Sequence, residues 1–377
     1  MTSPRNPGLL GGNAFKLGLF GANCSGGLAF TTLPERWEAS WDNNLRLARA
    51  ADEAGLECLV PVARWKGFGG ATNVNATSLE TITWAGGLLA STQTITVFGT
   101  IHVPMIHPIV AAKQMATVDQ IGHGRLGVNI VCGWNGDEFE MFGVASDEHD
   151  LRYERGEEWW AIVRGIWSGK GPFDHDGRYF RFRGLEGSPT PYGGVAPPMM
   201  NAGASPAGRS FAMRNSDIHF DYCRDPEASA ARVAETKSLA RAAERTIEVW
   251  IPASVVCRPT RREAEDYAQH CVDNADWEAL EHQYRLYAGS AGSQSRSADE
   301  NARNRRENPA RTILGYGGSY SLRGSPDDIA AECLRLHRAG FDGIAIGFVN
   351  YLDEFSYFAQ EVIPRLERAA LRAQRAR

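Results

Sequence analysis

Two polar residues set into apolar strands carry the first chemical signal of this chain. The segment GRLGVNIVCGW, residues 124–134, places Asn129 among Leu126, Val128, Ile130 and Val131. The segment TITVFGTIHV, residues 94–103, does the same with Thr100. A buried amide or hydroxyl costs stability unless it is paired. Side chains alternate between the two faces of a strand. With Leu126, Val128, Ile130 and Cys132 on one face, Asn129 shares the other with Gly127, Val131 and Gly133, and the two glycines leave room beside the amide. Thr96, Phe98, Thr100 and His102 likewise share one face of their own strand. Thr100 and Asn129 then bond each other or buried water, or they meet a ligand.

Other chemistry-bearing groups lie where strands end. In AGASPAG, residues 202–208, Ser205 suits a helix N-cap and Pro206 the first turn. Small residues there let a phosphate approach the positive helix end, although a well-capped helix needs the same residues. In HDLRYER, residues 149–155, Asp150 can cap a helix. Arg152 and Tyr153 can reach a phosphate, or belong to an exposed first turn laced by i,i+4 pairs. RWKGFGG, residues 64–70, is a pliable loop that makes either a substrate wall or a turn. Glu138 follows the Asn129 strand closely enough to hydrogen-bond a bound heterocycle. His102 and His107 flank Pro104 at a strand end, as structural residues or as a base. The nine histidines show no metal-ligand spacing, and GxxxxGK[ST], HExxH and GxSxG are absent, so no metal site is expected.

The elements that must position these groups alternate between strand and helix. Strand-like runs occur at 15–20, 58–63, 94–103, 125–133, 197–204, 218–223, 247–257 and 343–352, each followed by a helical pattern. Eight such units predict a closed (β/α)8 TIM barrel over residues 1–377, an α/β fold, in preference to an open doubly wound sheet. Two stretches interrupt the repeat. Residues 169–196 predict a hairpin insertion, and residues 286–324, rich in Gly, Ser, Asn and Arg, predict a lid-like loop. The tail LERAALRAQRAR reads as a solvated helix end. A net charge of −5 leaves no electrostatic footprint for nucleic acid, and no apolar run spans a membrane. Seven scattered cysteines without a CxxC pair, and a start without an apolar signal core, point to a cytoplasmic protein.

Taken in order, these motifs resemble the bacterial luciferase-like family of flavin-dependent monooxygenases, from Phe15 to about Leu366. NCSGGL (23–28), KQMATVDQIGHGRLGVNIVCGW (113–134), EHDLRYER (148–155), RGIW (164–167) and GFVNYLDEFSYFAQEVIP resemble the dimethylsulfone monooxygenase branch. RWKGFGG and AGASPAG resemble the pyrimidine ring-opening branch. The resemblance implies a barrel that binds reduced FMN supplied by a separate NAD(P)H-dependent flavin reductase, and that uses O2. Carried over by position, Ala63, Arg64, Asn129 and Glu138 would contact the flavin, and Arg152, Tyr153 and Ser205 its phosphate arm. Val60, Thr100 and Asn129 would form the oxygen pocket in which a flavin peroxide is stabilised. Trp65, Phe68, Trp134 and Phe348 are then candidate substrate walls. An acidic substrate would call on Arg64, Lys66 and Arg323. The expected reaction is oxygenation and cleavage of a small sulfone, sulfonate or heterocyclic amide. The family suggests a homodimer or homotetramer. A deazaflavin-dependent hydride-transfer enzyme and a non-catalytic flavin-binding protein are the competing readings.

Overall fold

Short apolar segments build the sheet, and their length follows from being covered on both faces. In the computed structural model, which describes residues 9, 11–144, 148–289, 303 and 305–374, eleven strands are present among the described residues. They are β1 (Lys16–Phe20), β2 (Cys58–Val60), β3 (Thr96–His102), β4 (Leu126–Val131), β5 (Phe173–Asp176) and β6 (Arg181–Leu185). The rest are β7 (Met199–Asn201), β8 (Ile218–Phe220), β9 (Glu248–Cys257), β10 (Tyr320–Gly324) and β11 (Gly343–Gly347). Parallel pairing runs β1-β2-β3-β4-β7-β8-β9-β11 and returns from β11 to β1, which closes an eight-stranded barrel. Helices cover its outside, as in a (β/α)8 fold.

Strand parity sorts the core. Val97, Ile101, Leu126, Val128 and Ile130 pack outward with Leu88, Met115 and Trp159. Val60, Phe98, Met200, Ile218 and Trp250 fill the barrel interior. The expected room at Gly127 and Gly133 is taken by aromatic rings. A Cβ on Gly127 would lie 2.6 Å from the Phe98 ring, and one on Gly133 would lie 2.5 Å from the Phe139 ring. These glycines make space for packing and not for a ligand.

Residues 173–185 form the antiparallel pair β5–β6. Glu158, on the helix His149–Trp167, fastens it by accepting from the backbone N–H groups of Tyr179 at 3.0 Å and Phe180 at 2.8 Å. The other interruption departs from the expected loop. Residues 290–302 and 304 lie outside the described residues, but much of the remainder is regular. The helix Trp277–Gly289 leads into it, the helix Pro309–Leu314 follows, and β10 pairs in parallel with the C-terminal half of β9. Ile313 and Leu322 are fully buried there. Gly315, Gly317 and Gly318 gave the stretch a loop-like composition, which masked the alternation in YSLRG.

The tail is also corrected. Arg372 is buried, and its guanidinium meets Glu57 at 2.7 Å and the carbonyl of Gly55 at 2.6 Å. The partner carboxylate is 315 residues away in sequence, beyond the reach of any local pattern. All seven cysteines are buried and free, and no helix among the described residues is long and apolar enough to cross a membrane.

Candidate active site

β3 and β4 are in register with Thr100 opposite Asn129. The Asn129 Nδ2 donates to Thr100 Oγ1 at 3.2 Å, and Thr100 Oγ1 donates to the carbonyl of Pro61 at 3.1 Å. A carbonyl only accepts, so the Thr100 proton is committed to Pro61 and its oxygen must accept from Asn129. This fixes the amide. Its Oδ1 is buried and has no hydrogen-bond partner. The two residues therefore bond each other, as one reading of the sequence required, and still leave an unspent acceptor. Val60 is buried in the barrel interior on β2, with Phe98 and Trp250 in the same cluster.

Just beyond β2, the chain buries a charge. Arg64 places its guanidinium 3.3 Å from Glu138 Oε1, with both side chains almost fully buried. The Arg64 Nε donates to the Tyr316 hydroxyl at 3.2 Å, which in turn donates to Asn75 Oδ1 at 2.7 Å. The planar cation also lies over the rings of Trp134 and Phe68, at 4.5 and 4.8 Å from their centroids. Burial pulls the Arg64 pKa down, but the nearby Tyr316 and Glu138 outweigh it and hold the group charged. Glu138 Oε1 also accepts from the N–H of Trp65 at 3.0 Å, while its Oε2 has no partner. Ala63 lines the adjoining cavity. The loop that carries these residues is held by Asn23, whose side chain bonds both the N–H and the carbonyl of Val62. The NCSGGL motif is thus a brace for the site.

Two helix starts converge on a third group of residues. Ser205 caps the helix Pro206–Asn215 by accepting from the N–H of Gly208 at 3.1 Å. Tyr153, from the first turns of the helix His149–Trp167, lies beside Ser205. A Cβ on Gly208 would lie 2.6 Å from the Tyr153 hydroxyl, so only glycine permits this approach. Burial pushes the Tyr153 phenol up to about 12, so it keeps its proton at neutral pH. The neighbouring Arg152 donates to the carbonyl of Gly133 at 2.8 Å, and its buried Nε has no partner. That bond ties this group to the end of β4, next to Trp134.

The expected substrate walls divide. Trp134 packs at a tilt against Tyr287 at 4.8 Å as well as against Arg64, and Trp65 packs edge-on to Phe142 at 5.0 Å and is partly exposed. Phe68 touches Arg64 but is buried in a core with Phe30 and Tyr316. Phe348 is placed elsewhere. It packs on Tyr351, Phe355 and Phe358 in the layer between barrel and helices, because its parity along β11 matches the outward Ile344 and Ile346. The cations proposed for an acidic substrate are also engaged. Lys66 pairs with Asp137 at 3.0 Å and Arg323 with Glu265 at 3.1 Å. His107 caps the helix Pro108–Ile121, a structural role. Tyr316, Tyr287 and Asn75 were missed because the first two lie in or beside the presumed loop, and none belongs to a recognisable motif. Gln283 was missed too: it is fully buried on the same helix as Tyr287, with neither amide atom paired.

The chain belongs to the luciferase-like monooxygenase family, whose model matches residues 20–343. It is 32% identical to the FMNH2-dependent dimethylsulfone monooxygenase of Pseudomonas fluorescens, over 97% of this chain and 98% of that one. It is 27% identical to the pyrimidine monooxygenase RutA of Escherichia coli, over 93% and 91% of the two chains. Among solved structures, DmoA from Hyphomicrobium sulfonivorans superposes with a TM-score of 0.85 at 19% identity, covering 96% of this chain and 90% of that one.

Proposed function

We propose that this protein is the oxygenating component of a two-component monooxygenase, which takes reduced FMN from a separate flavin reductase and oxygenates a small neutral substrate. The bond cleaved is the C–S bond of a sulfone or the C–N bond of a cyclic amide. The observation that carries this reading is the Thr100–Asn129 pair, a polar couple in the C-terminal halves of two barrel strands with one acceptor unspent. Active sites of such barrels lie at that end. The relatives, named for FMNH2-dependent and pyrimidine oxygenation, support the cofactor and reaction class.

The residues present fit FMN. Three buried polar atoms without protein partners, Asn129 Oδ1, Glu138 Oε2 and Arg152 Nε, are spread from β4 to the two convergent helix starts. A buried polar atom left unpaired in a native fold calls for a partner. Asn129 and Glu138 would hold the ring system, with Ala63 and Arg64 beside it. Arg152, Tyr153 and Ser205 would hold the phosphate at a helix N-terminus. When bound, reduced FMN supplies the electrons that activate dioxygen. Thr100 does not reach out to that oxygen with its own proton, which Pro61 holds; it orients the Asn129 amide, whose second Nδ2 hydrogen would be the donor to that oxygen. The aromatic rings of Trp134, Tyr287 and Phe68 around Arg64 exclude water, and fixed dipoles in a dry site act more strongly than in water.

Charge favours a neutral substrate over a sulfonate. Arg64, Lys66 and Arg323 each already face a carboxylate, so none is held in reserve for an anion. The test is a reaction with FMN, NADH, a flavin reductase, 18O2 and a panel of sulfones, sulfonates and cyclic amides, read by mass spectrometry. The expected result is one 18O atom in the product of a neutral substrate. Anaerobic turnover with a deazaflavin, or FMN binding without any oxygenated product, overturns the reading.

A further inference from the structure

A cavity of about 50 Å³ opens where β2 and β3 end, and its wall includes Thr100, His102, Arg64 and Ala63. Its polar lining is almost entirely committed elsewhere. Ser78 Oγ donates to the carbonyl of Arg64 at 2.6 Å, and Thr81 Oγ1 donates to the carbonyl of Thr100 at 2.6 Å. The Glu80 carboxylate accepts from the N–H groups of Ile82 at 3.0 Å and Thr83 at 2.7 Å. Thr100 has given its proton to Pro61, and Arg64 is held by Glu138 and Tyr316. His102 is different. It is 94% buried, being 6% exposed, and its Nδ1 has no hydrogen-bond partner. It stands two residues beyond Thr100 on β3, on the same face of the strand.

We propose that His102 binds the polar head of the substrate, through a hydrogen bond in the cavity that it shares with Thr100. The proposal rests on the monooxygenase reading above and adds to it a residue that decides which substrate is taken. Burial pushes the imidazole down to about 4, outweighing the pull of Glu138, so the ring is neutral at physiological pH. A neutral imidazole offers one N–H and one lone pair. It suits an uncharged acceptor such as a carbonyl or sulfonyl oxygen, and gives a carboxylate or sulfonate no counter-charge.

The experiment uses the full chain loaded with oxidised FMN, and dimethylsulfone and uracil as separate probes. Histidine-labelled protein is followed by 15N NMR, and the His102 signals are assigned as those lost in His102→Gln. The expected result is a shift of these signals with one probe, in the neutral imidazole pattern from pH 5.5 to 8. In turnover, His102→Leu is expected to raise KM for that probe at least tenfold, while the Kd for FMN stays within twofold. His102→Gln, which keeps a neutral donor and acceptor, is expected to stay within threefold of the parent KM. Unshifted His102 signals with both probes, an unchanged KM in His102→Leu, or loss of FMN by that variant each overturn the proposal. A shift of His102 without any oxygenated product supports His102 as a ligand-binding residue and overturns the monooxygenase reading instead.

Discussion

The Asn129 amide is oriented by a carbonyl that it never touches. Pro61 accepts the Thr100 proton, Thr100 then accepts from Asn129, and the amide oxygen is left facing inward. Thr100→Val keeps the shape and removes this constraint. It is expected to lower product formation on the order of 100-fold, the scale for losing one preorganised polar group. FMN binding stays intact, and hydrogen peroxide, measured by a coupled peroxidase assay, rises as product falls. Thr100→Ser restores coupling. Glu138 makes a different prediction. Glu138→Gln leaves the Arg64 cation buried without its counter-charge. Breaking one side of a buried pair costs about 3–5 kcal/mol, and the loss is read as a lower urea midpoint. Both residues were singled out in the sequence, but the hydrogen bonds that hold them were not. Residue type shows that an amide and an acid are present, whereas the direction of a hydrogen bond depends on Pro61 and Trp65 from another strand end.

At the scale of elements, the site depends on how β4 stops. Gly133 adopts φ +105°, a conformation that side chains rarely take, and packs its Cα against Phe139. Its carbonyl accepts from Arg152. Gly133→Ala meets both the strained backbone and the Phe139 ring. It is expected to cost about 1–3 kcal/mol and to weaken FMN binding by displacing Arg152, measured by fluorescence titration. The strands themselves were legible. Period-two alternation of Ile and Val against Thr, Asn and Gly predicted which face of β3 and β4 is inward, and the register agrees. β10 was not legible, since glycines on its N-terminal side imitate a loop and its partner residues on β9 lie 67 positions earlier. Phe348 was misplaced for a related reason. An aromatic after a barrel strand looks like a wall until parity is counted along β11.

The whole molecule is closed by contacts between distant parts of the chain. Arg372 and Glu57 form a buried pair under the barrel, and Glu57 also accepts from the N–H of Leu17 at 2.7 Å. Arg372→Ala is expected to lower stability by about 3–5 kcal/mol, seen in thermal and urea unfolding, with KM unchanged because the pair lies away from the active end. Stability also depends on pH through buried histidines. Burial holds both His102 and His219 down at about 4, against 6.5 for an exposed imidazole. The unfolded chain therefore binds protons first as pH falls. Their contribution is complete above pH 6.5 and is lost progressively towards pH 4, on the order of 3 kcal/mol for each. Urea midpoints at pH 7.5 and 5 check this, and His219→Gln is expected to flatten the difference.

The sequence by itself determined the repeat of eight strand–helix units, the inward polar residues of two strands, and the helix start at Ser205. Each of these is written in local periodicity or in a cap, where neighbours along the chain decide the outcome. The tertiary structure alone decided that the glycines beside Asn129 hold aromatic rings, that Arg64 is neutralised by Glu138, and that Arg372 locks the barrel base. It also decided that the polar lining around His102 is committed elsewhere. Those facts depend on which distant groups meet, and hydrogen-bond partners and buried counter-charges are chosen only when the barrel closes.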